Sequence, residues 1–280
     1  MSAWQTFLEA REIWQEPLLA AAIAGALCGF LGVYVVLRRT VFVSAALTQL
    51  STLGLVAALV VQEAAGVEVE SAAVQLAVAT LFSVAGALVL GGLAGRRLPS
   101  EAGVGYAYVT AGGLVVLGSA RLVHAAHDLG GMVFGNAVAV SGTELAALAV
   151  VGALCAVAHL VFGRRLVFVS FDADTAAAMG VPPARWDGML FFTLGLAIPA
   201  SARALGALPV FAFLTVPAAS SLLAGLGLGA SFSLAAGLGF VAATGGYVLS
   251  WFAQSPTGAT MVALAALSVP LAWLAGRRRP

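Results

Sequence analysis

The feature that most constrains this chain is a succession of long apolar stretches separated by short polar segments. A helix needs about 20 apolar residues to cross a bilayer. Of the 280 residues, 61% are hydrophobic and 9% are charged, whereas a soluble domain carries roughly a quarter charged residues. Lipid must therefore be the solvent for most of the surface. The predicted spans lie near residues 17–37, 41–62, 71–94, 102–119, 143–162, 187–202, 207–224, 230–252 and 257–276.

We therefore predict an all-α fold, a polytopic membrane helix bundle of about nine transmembrane helices, with eight also possible. In this prediction, residues 17–280 form a single transmembrane domain. Residues 1–16 form a separate interfacial segment, because Trp4 and Trp14 are interspersed with Glu9 and Arg11. That mixture is typical of an amphipathic helix lying on a membrane surface.

Positive charge predicts the orientation of the bundle. The sequence contains no lysine, and its basic residues cluster after the first, third, fifth and ninth predicted spans. Short loops rich in arginine stay in the cytoplasm, so we place the N-terminus outside and the C-terminus inside. The clusters are Arg38-Arg39, Arg96-Arg97, Arg164-Arg165 with Arg185, and Arg277-Arg278-Arg279.

Prolines predict irregular helices in the second half of the chain. Pro199 falls in the sixth predicted span, Pro209 and Pro217 fall in the seventh, and Pro270 falls in the ninth. Proline lacks the backbone N–H and clashes with the preceding turn of a helix. We therefore expect these three spans to be kinked, short or broken.

Two function classes are disfavoured by the charged residues. The net charge of +1 argues against nucleic-acid binding, which needs a dense basic face to displace counterions from phosphates. A GxxxxGK[ST] phosphate loop cannot exist in a chain without lysine. We therefore expect no ATP site and no bound cofactor in this chain, so that energy comes from a partner or from an ion gradient.

The second predicted span is the most polar of the nine. Its residues Ser44, Thr48, Ser51 and Thr52 follow i, i+4, i+7, i+8 spacing and share one helix face, and Gln49 adds an amide. Such a face could line a translocation path. Hydrogen bonding between packed helices explains the same pattern.

A second polar group lies in the sequence RLVHAAHDLGG, on the predicted outer side. It contains His124, His127 and Asp128, and imidazole with carboxylate suits zinc or manganese. These residues are a candidate metal site, and an ordinary solvated loop is the alternative interpretation.

The longest polar internal segment covers residues 164–188. It contains a short helical pattern opened by Asp172 or Asp174 as N-cap and closed by Gly180 before Pro182-Pro183. A capped helix on the inner face would suit contact with a cytosolic motor. A plain connection between spans explains the pattern as well.

Four ordered stretches of this sequence resemble the zinc/manganese/iron-type ABC importer permeases, and their order and spacing match from end to end. The stretches are VVLRRTVFVSAALTQLSTLGL at 35–55, GMVFGNAVAVSGTEL at 131–145, VSFDADTAAAMGVPPARWDGML at 169–190 with GALPVFAFLTVPAAS at 206–220, and SPTGATMVAL at 255–264.

The resemblance implies a bundle of eight or nine helices in the bacterial inner (plasma) membrane, as a homodimer or a pair of related chains. It also implies a cytosolic ABC ATPase dimer that uses ATP and an extracytoplasmic solute-binding protein that delivers the metal. Residues 171–181 would be the coupling helix that docks on the ATPase. The coupling residues would be Asp172, Asp174, Thr175, Met179, Gly180 and Val181.

One position pair departs from the family pattern. In the second span the family typically carries an aspartate and, four residues later, a histidine, which can meet a passing metal ion. Here the two positions hold Ala45 and Gln49, while Ser51 and Gly54 keep the usual residues. Alanine cannot ligate a metal and a neutral amide is a poor ligand for zinc.

Three functions remain open at this stage. The first is the permease subunit of an ABC importer for divalent transition-metal ions or metal complexes. The second is a secondary, ion-coupled transporter, which usually carries buried ionisable residues. The third is a non-metal or non-transporting membrane subunit of ABC type, which the change at Ala45 and Gln49 permits.

Overall fold

The computed structural model of this chain describes residues 9–65, 72–93, 100–122 and 140–276. Within these residues the structure is helical and contains no β-strand. The helices are α1 Arg11–Leu37, α2 Val41–Ala65, α3 Ala72–Leu93, α4 Ser100–Ser119, α5 Gly142–Phe171, α6 Ala173–Ala178, α7 Pro183–Leu205, α8 Ala207–Leu223, α9 Leu228–Ala253, α10 Thr257–Ala266 and α11 Ser268–Gly276.

The predicted all-α membrane fold is confirmed. In the described residues, 8 helical stretches are long and apolar enough to cross a bilayer, the last of them formed by α10 and α11 together. The remaining predicted span corresponds to α8, which is shorter. The predicted orientation of the termini and the division at residue 16 stay predictions, although α1 already begins at Arg11.

One boundary differs clearly from the prediction. Hydropathy predicts that the fifth span ends near residue 162, whereas α5 continues as one 30-residue helix to Phe171. Arg164 and Arg165 therefore lie on the helix itself. Loss of apolar character marks the end of a membrane-buried stretch, but it does not end a helix, because arginine is a good helix former.

The prolines act largely as expected. Helix α8 contains Pro217 and has only 17 residues, and the ninth span is broken at Leu267 between α10 and α11. At the break, the Ser268 hydroxyl donates to the Ala265 carbonyl at 2.6 Å and lies 2.8 Å from the Ser220 hydroxyl. The seventh span is thus short and the ninth is broken, while α7, the sixth span, continues past Pro199.

The chain divides into two compact units. The terminal unit comprises the described residues of 1–33, 130–150 and 201–280. In it, α1 packs against α9 so closely that a methyl group on Gly25 would lie 2.4 Å from the Gly239 carbonyl oxygen. A methyl group on Gly29 would lie 2.3 Å from the Ala235 carbonyl oxygen. Small residues thus bring two helix backbones together, as is common in lipid.

An ion pair lies where α5 begins in the terminal unit. Ser141 and Glu144 cap the helix reciprocally: the Ser141 amide donates to the Glu144 carboxylate at 3.0 Å, and the Glu144 amide donates to the Ser141 hydroxyl at 3.4 Å. The same carboxylate accepts a hydrogen bond from Arg203 Nε at 2.6 Å. This ion pair therefore joins the start of α5 to the end of α7.

The middle unit comprises the described residues of 34–129 and 151–200. Its helix α3 is closely approached by two neighbours. A methyl group on Gly54 of α2 would lie 2.9 Å from the Ala79 Cα, and one on Gly195 of α7 would lie 2.9 Å from the Val84 Cα. Helix α2 also packs against α4. The segment 171–181 belongs to this unit.

Candidate coupling segment and polar helix face

The short helix α6 begins at a capping aspartate. Asp172 accepts hydrogen bonds from the Thr175 amide at 2.9 Å and from the Thr175 hydroxyl at 2.5 Å. These two bonds, the hydroxyl first, hold the pKa of the Asp172 carboxyl below its usual range because they favour the ionised form. Of the two predicted N-caps, Asp172 is the one used, and Asp174 lies in the first turn.

The other end of α6 is closed by Gly180. The Gly180 amide donates to the Ala177 carbonyl at 3.0 Å, and the Val181 amide donates to the Ala176 carbonyl at 2.9 Å. This pair of bonds is the Schellman arrangement, which requires a left-handed residue at the position after the cap. Gly180 has φ of +80°, which an L-side chain rarely adopts. The predicted cap position is confirmed.

The surface of α6 is open. Within 171–180, Ala176 is completely buried and every other residue is exposed. Two large apolar side chains flank the helix, with Phe171 62% exposed and Met179 71% exposed. A six-residue helix cannot be stable by itself. The caps and the buried Ala176 hold this one in place, with its outer side chains available for contact.

Arg38 connects the helices next to α6. It follows the end of α1, donates through Nη1 to Asp187 Oδ1 near the start of α7, and donates through Nε to Ser170 near the end of α5 at 2.8 Å. Arg38 is 10% exposed and Asp187 is 33% exposed. A charge-assisted network of this kind is stronger than neutral hydrogen bonds, so the helix ends around α6 are tied together.

This contact also bears on the predicted topology. Arg38 belongs to the first arginine cluster, whereas Ser170 and Asp187 flank the segment that holds the third cluster. The first and third clusters therefore lie at the same end of the middle unit. The positive-inside prediction requires that arrangement.

The predicted polar face of α2 is buried within the middle unit. Ser44, Thr48 and Thr52 are 0%, 3% and 8% exposed, and Ser51 is 4% exposed. The hydroxyls bond along their own helix: Ser44 to the Val41 carbonyl at 2.6 Å, Thr48 to that of Ser44 at 2.7 Å, and Thr52 to that of Thr48 at 3.0 Å. The four residues do share a face, and their role in lining a path stays a prediction.

The two positions that depart from the family pattern lie one helical turn apart on α2. Ala45 and Gln49 are both half-buried, unlike the fully buried hydroxyl residues beside them. The Gln49 amide faces Gly112 of α4, since a methyl group on that glycine would lie 3.8 Å from Gln49 Oε1. These side chains are therefore more accessible than the hydroxyl face.

The candidate metal ligands His124, His127 and Asp128 lie outside the described residues. Within the described residues, no group of three histidine, cysteine, aspartate or glutamate side chains could hold a metal ion. A metal site in this chain therefore stays a prediction from the sequence.

A family model described as the ABC 3 transport family matches residues 10–275. The chain belongs to the ABC 3 transport family. It is thus a multi-pass membrane permease.

Relatives of this ABC 3 family permease cover nearly its whole length. The manganese transport system membrane protein MntC of Halalkalibacterium halodurans is 27% identical over 92% of this chain and 86% of its own. The chelated iron transport system membrane protein YfeC of Yersinia pestis is 24% identical over 90% of this chain and 82% of its own. The PsaBC structure of Streptococcus pneumoniae in complex with Fab has the same fold, with a TM-score of 0.83 and 21% identity over 98% of this chain and 97% of that chain.

One contact beside the candidate coupling segment cannot be predicted from the sequence pattern. The pattern marks Arg38 as part of a basic cluster and does not pair it with Asp187. A signal was available, because Asp187 is the first residue of the predicted sixth span. A carboxylate at the edge of an apolar span needs a cationic or hydrogen-bonding partner, although the sequence does not say which one.

Proposed function

We propose that this permease is the membrane subunit of a bacterial inner-membrane importer for divalent transition-metal ions, zinc or manganese, or for metal complexes. A separate cytosolic ATPase dimer drives transport, and an extracytoplasmic solute-binding protein delivers the substrate. A second permease copy, in a homodimer, completes the path. The observation that carries the coupling role is the exposed, doubly capped helix α6.

The chemistry of α6 supports docking of a soluble partner. Phe171 and Met179 present large apolar surfaces at its two ends, and Asp174 adds an exposed charge between them. Exposed apolar side chains grouped with polar ones are typical of protein interaction sites. Burial of Phe171 and Met179 under an ATPase subunit would remove both surfaces from water.

The connections of α6 support transmission of movement into the membrane. Asp172 alone separates α6 from α5, so the short helix cannot move far without the end of that span. Arg38 ties the end of α5 to the start of α7 and follows α1 directly. A displacement of α6 would therefore act on three spans together. Rigid movement of packed helices is a common switching mode.

The substrate class rests on the relatives and on the composition of α2. The relatives are named for manganese and for chelated iron transport. Ala45 and Gln49 provide no carboxylate or imidazole to a bare ion. A metal complex brings its own ligands and needs only a polar path of suitable width, so the change at these positions favours complexes over bare ions.

The test is co-expression of the permease with the proposed ATPase and binding-protein subunits. Asp174→Arg should lower ATPase activity coupled to transport and the amount of ATPase that co-purifies. Glu12→Arg is the matched control, because Glu12 is also an exposed acid in the first turn of a helix. If the two variants behave alike, the coupling role of α6 is wrong.

Substrate is measured separately, as uptake of manganese, zinc and a ferric chelate by cells that express the whole transporter. The metal proposal expects uptake of at least one of them above cells lacking the permease. Uptake of none, with an intact complex and an active ATPase, would refute the metal assignment and leave the coupling role standing.

A further inference from the structure

Two arginines stack on one tryptophan where α5 and α7 meet in the middle unit. The guanidinium carbon of Arg165 lies 5.4 Å from the centre of the Trp186 ring, and that of Arg185 lies 5.8 Å from it. Phe162 supports the same ring, with centroids 5.6 Å apart. Trp186 is only 4% exposed, so it is a rigid platform that holds both cations.

These arginines have no counter-ion in the part of the chain that the structure describes. Its two ion pairs are Arg38 with Asp187 and Arg203 with Glu144. Arg165 and Arg185 are exposed, as is the neighbouring Arg164. Both positive charges stack on the same ring. An anion bound to them would neutralise the charge and accept their hydrogen bonds.

The side chains next to these arginines on α5 are apolar and exposed. Leu160 is 82% exposed and Val161 is 66% exposed. Arg164 and Arg165 follow them at a spacing of four, which is one helical turn along the same face. On the other face of α5, Cys155 and Leu166 are buried. The exposed face of α5 therefore passes within one turn from apolar side chains to guanidinium groups.

We propose that Arg165 and Arg185, held on Trp186 and assisted by Arg164, bind the phosphate headgroup of an anionic phospholipid. A guanidinium group offers paired N–H donors that match phosphate oxygens. When the flat face of the guanidinium group stacks on the indole, the N–H groups at its edge remain free to donate. The acyl chains of the same lipid would lie along Leu160 and Val161. Arg185 is also in the first turn of α7, whose dipole favours an anion. This site is independent of the proposed coupling to an ATPase.

The test is native mass spectrometry of the purified full-length chain, equilibrated in detergent with equal amounts of phosphatidylglycerol and phosphatidylcholine. The wild-type chain should retain phosphatidylglycerol preferentially. Arg165→Gln/Arg185→Gln should weaken that retention by about five-fold per arginine, the effect of one basic side chain at an anionic surface. Arg11→Gln/Arg121→Gln is the matched control, because it removes the same charge at two exposed positions elsewhere.

A lysine variant covers the case in which the glutamine variant fails to fold. Arg165→Lys/Arg185→Lys keeps both charges and loses the planar fork, so its affinity for phosphatidylglycerol should lie between the other two. Inorganic phosphate at the same concentration should compete weakly, because it lacks acyl chains.

Three results would overturn the proposal. The first is wild-type chain that does not distinguish the two lipids, and the second is an equal loss in the control and in the arginine variants. The third is an Arg165→Gln/Arg185→Gln variant that retains phosphatidylglycerol normally but co-purifies with less ATPase, which would reassign these arginines to a protein contact.

Discussion

Arg38 donates a hydrogen bond to Asp187 across 149 positions of sequence. Arg38 lies just after α1 and Asp187 near the start of α7, and Ser170 from the end of α5 completes the network. One side chain thus connects three helices at the end of the middle unit that carries α6. The contact is mostly shielded from water, with Arg38 only 10% exposed.

The first prediction concerns this network. Arg38→Gln should lower the free energy of unfolding by about 1–3 kcal/mol, because it removes charge-assisted bonds and leaves Asp187 partly buried without a cation. Arg39→Gln is the control, since Arg39 is exposed and next in sequence. Thermal unfolding in detergent measures both. Equal destabilisation by the two variants would show that the network does not hold the helix ends.

The second prediction concerns the contact of α1 with α9. A methyl group on Gly239 would lie 2.1 Å from the Gly25 carbonyl oxygen. Gly239→Ala should therefore destabilise the chain by about 1–3 kcal/mol through overpacking.

Gly237→Ala is the control for that variant on the same helix, because a methyl group there meets nothing within 4 Å. It should be neutral or stabilising by up to about 1 kcal/mol, since alanine favours helix over glycine. A melting series in detergent that ranked the two variants the other way would contradict the packing.

The third prediction separates the capping role of Asp172 from its negative charge. Asp172→Ala removes the acceptor for Thr175 and should lower ATPase co-purification several-fold, whereas Asp172→Asn keeps a capping side chain and should retain most of it. The capping bonds lower the pKa of Asp172. The stabilisation of α6 by the ionised Asp172 side chain is therefore present at neutral pH and is lost as the pH falls through that lowered pKa. The asparagine variant should lack this acid sensitivity.

The fourth prediction tests the left-handed residue after α6. Gly180→Ala places a Cβ at φ of +80°, which costs about 1–2 kcal/mol for an L-residue. We expect faster proteolysis of the chain near residue 180. Gly188→Ala, in α7 with open space around it, should be cleaved at the wild-type rate. Identical digestion patterns would mean that the conformation of Gly180 does not matter for α6.

The fifth prediction concerns the substrate path. Ala45→Asp together with Gln49→His places a carboxylate and an imidazole one turn apart at half-buried positions. If these positions line the path, the double variant should increase transport of a bare ion such as manganese relative to a ferric chelate. Ala58→Asp together with Gln62→His provides the same pair further along α2 as a control. An unchanged ratio in the Ala45/Gln49 variant would remove these positions from the path.

Local features of the sequence predicted much of the fold and of the coupling segment. The spans follow from the length of apolar stretches relative to a bilayer, and the caps of α6 depend on residues three to five positions apart. The break at Leu267 lies three residues before Pro270, whose ring and missing N–H disfavour a continuous helix. Each of these features involves neighbours along the chain, so the sequence by itself determined it.

The tertiary structure alone decided which distant residues meet. Nothing in the sequence pairs Arg38 with Asp187 rather than with another carboxylate, or places Gly25 against Gly239 rather than against another of the 33 glycines. Hydropathy also did not predict the end of α5 at Phe171. Arginine marks the edge of the bilayer core, but it is a good helix former and does not end the helix. Pairing and close packing depend on the relative positions of whole helices, and those positions come from the sum of many weak contacts.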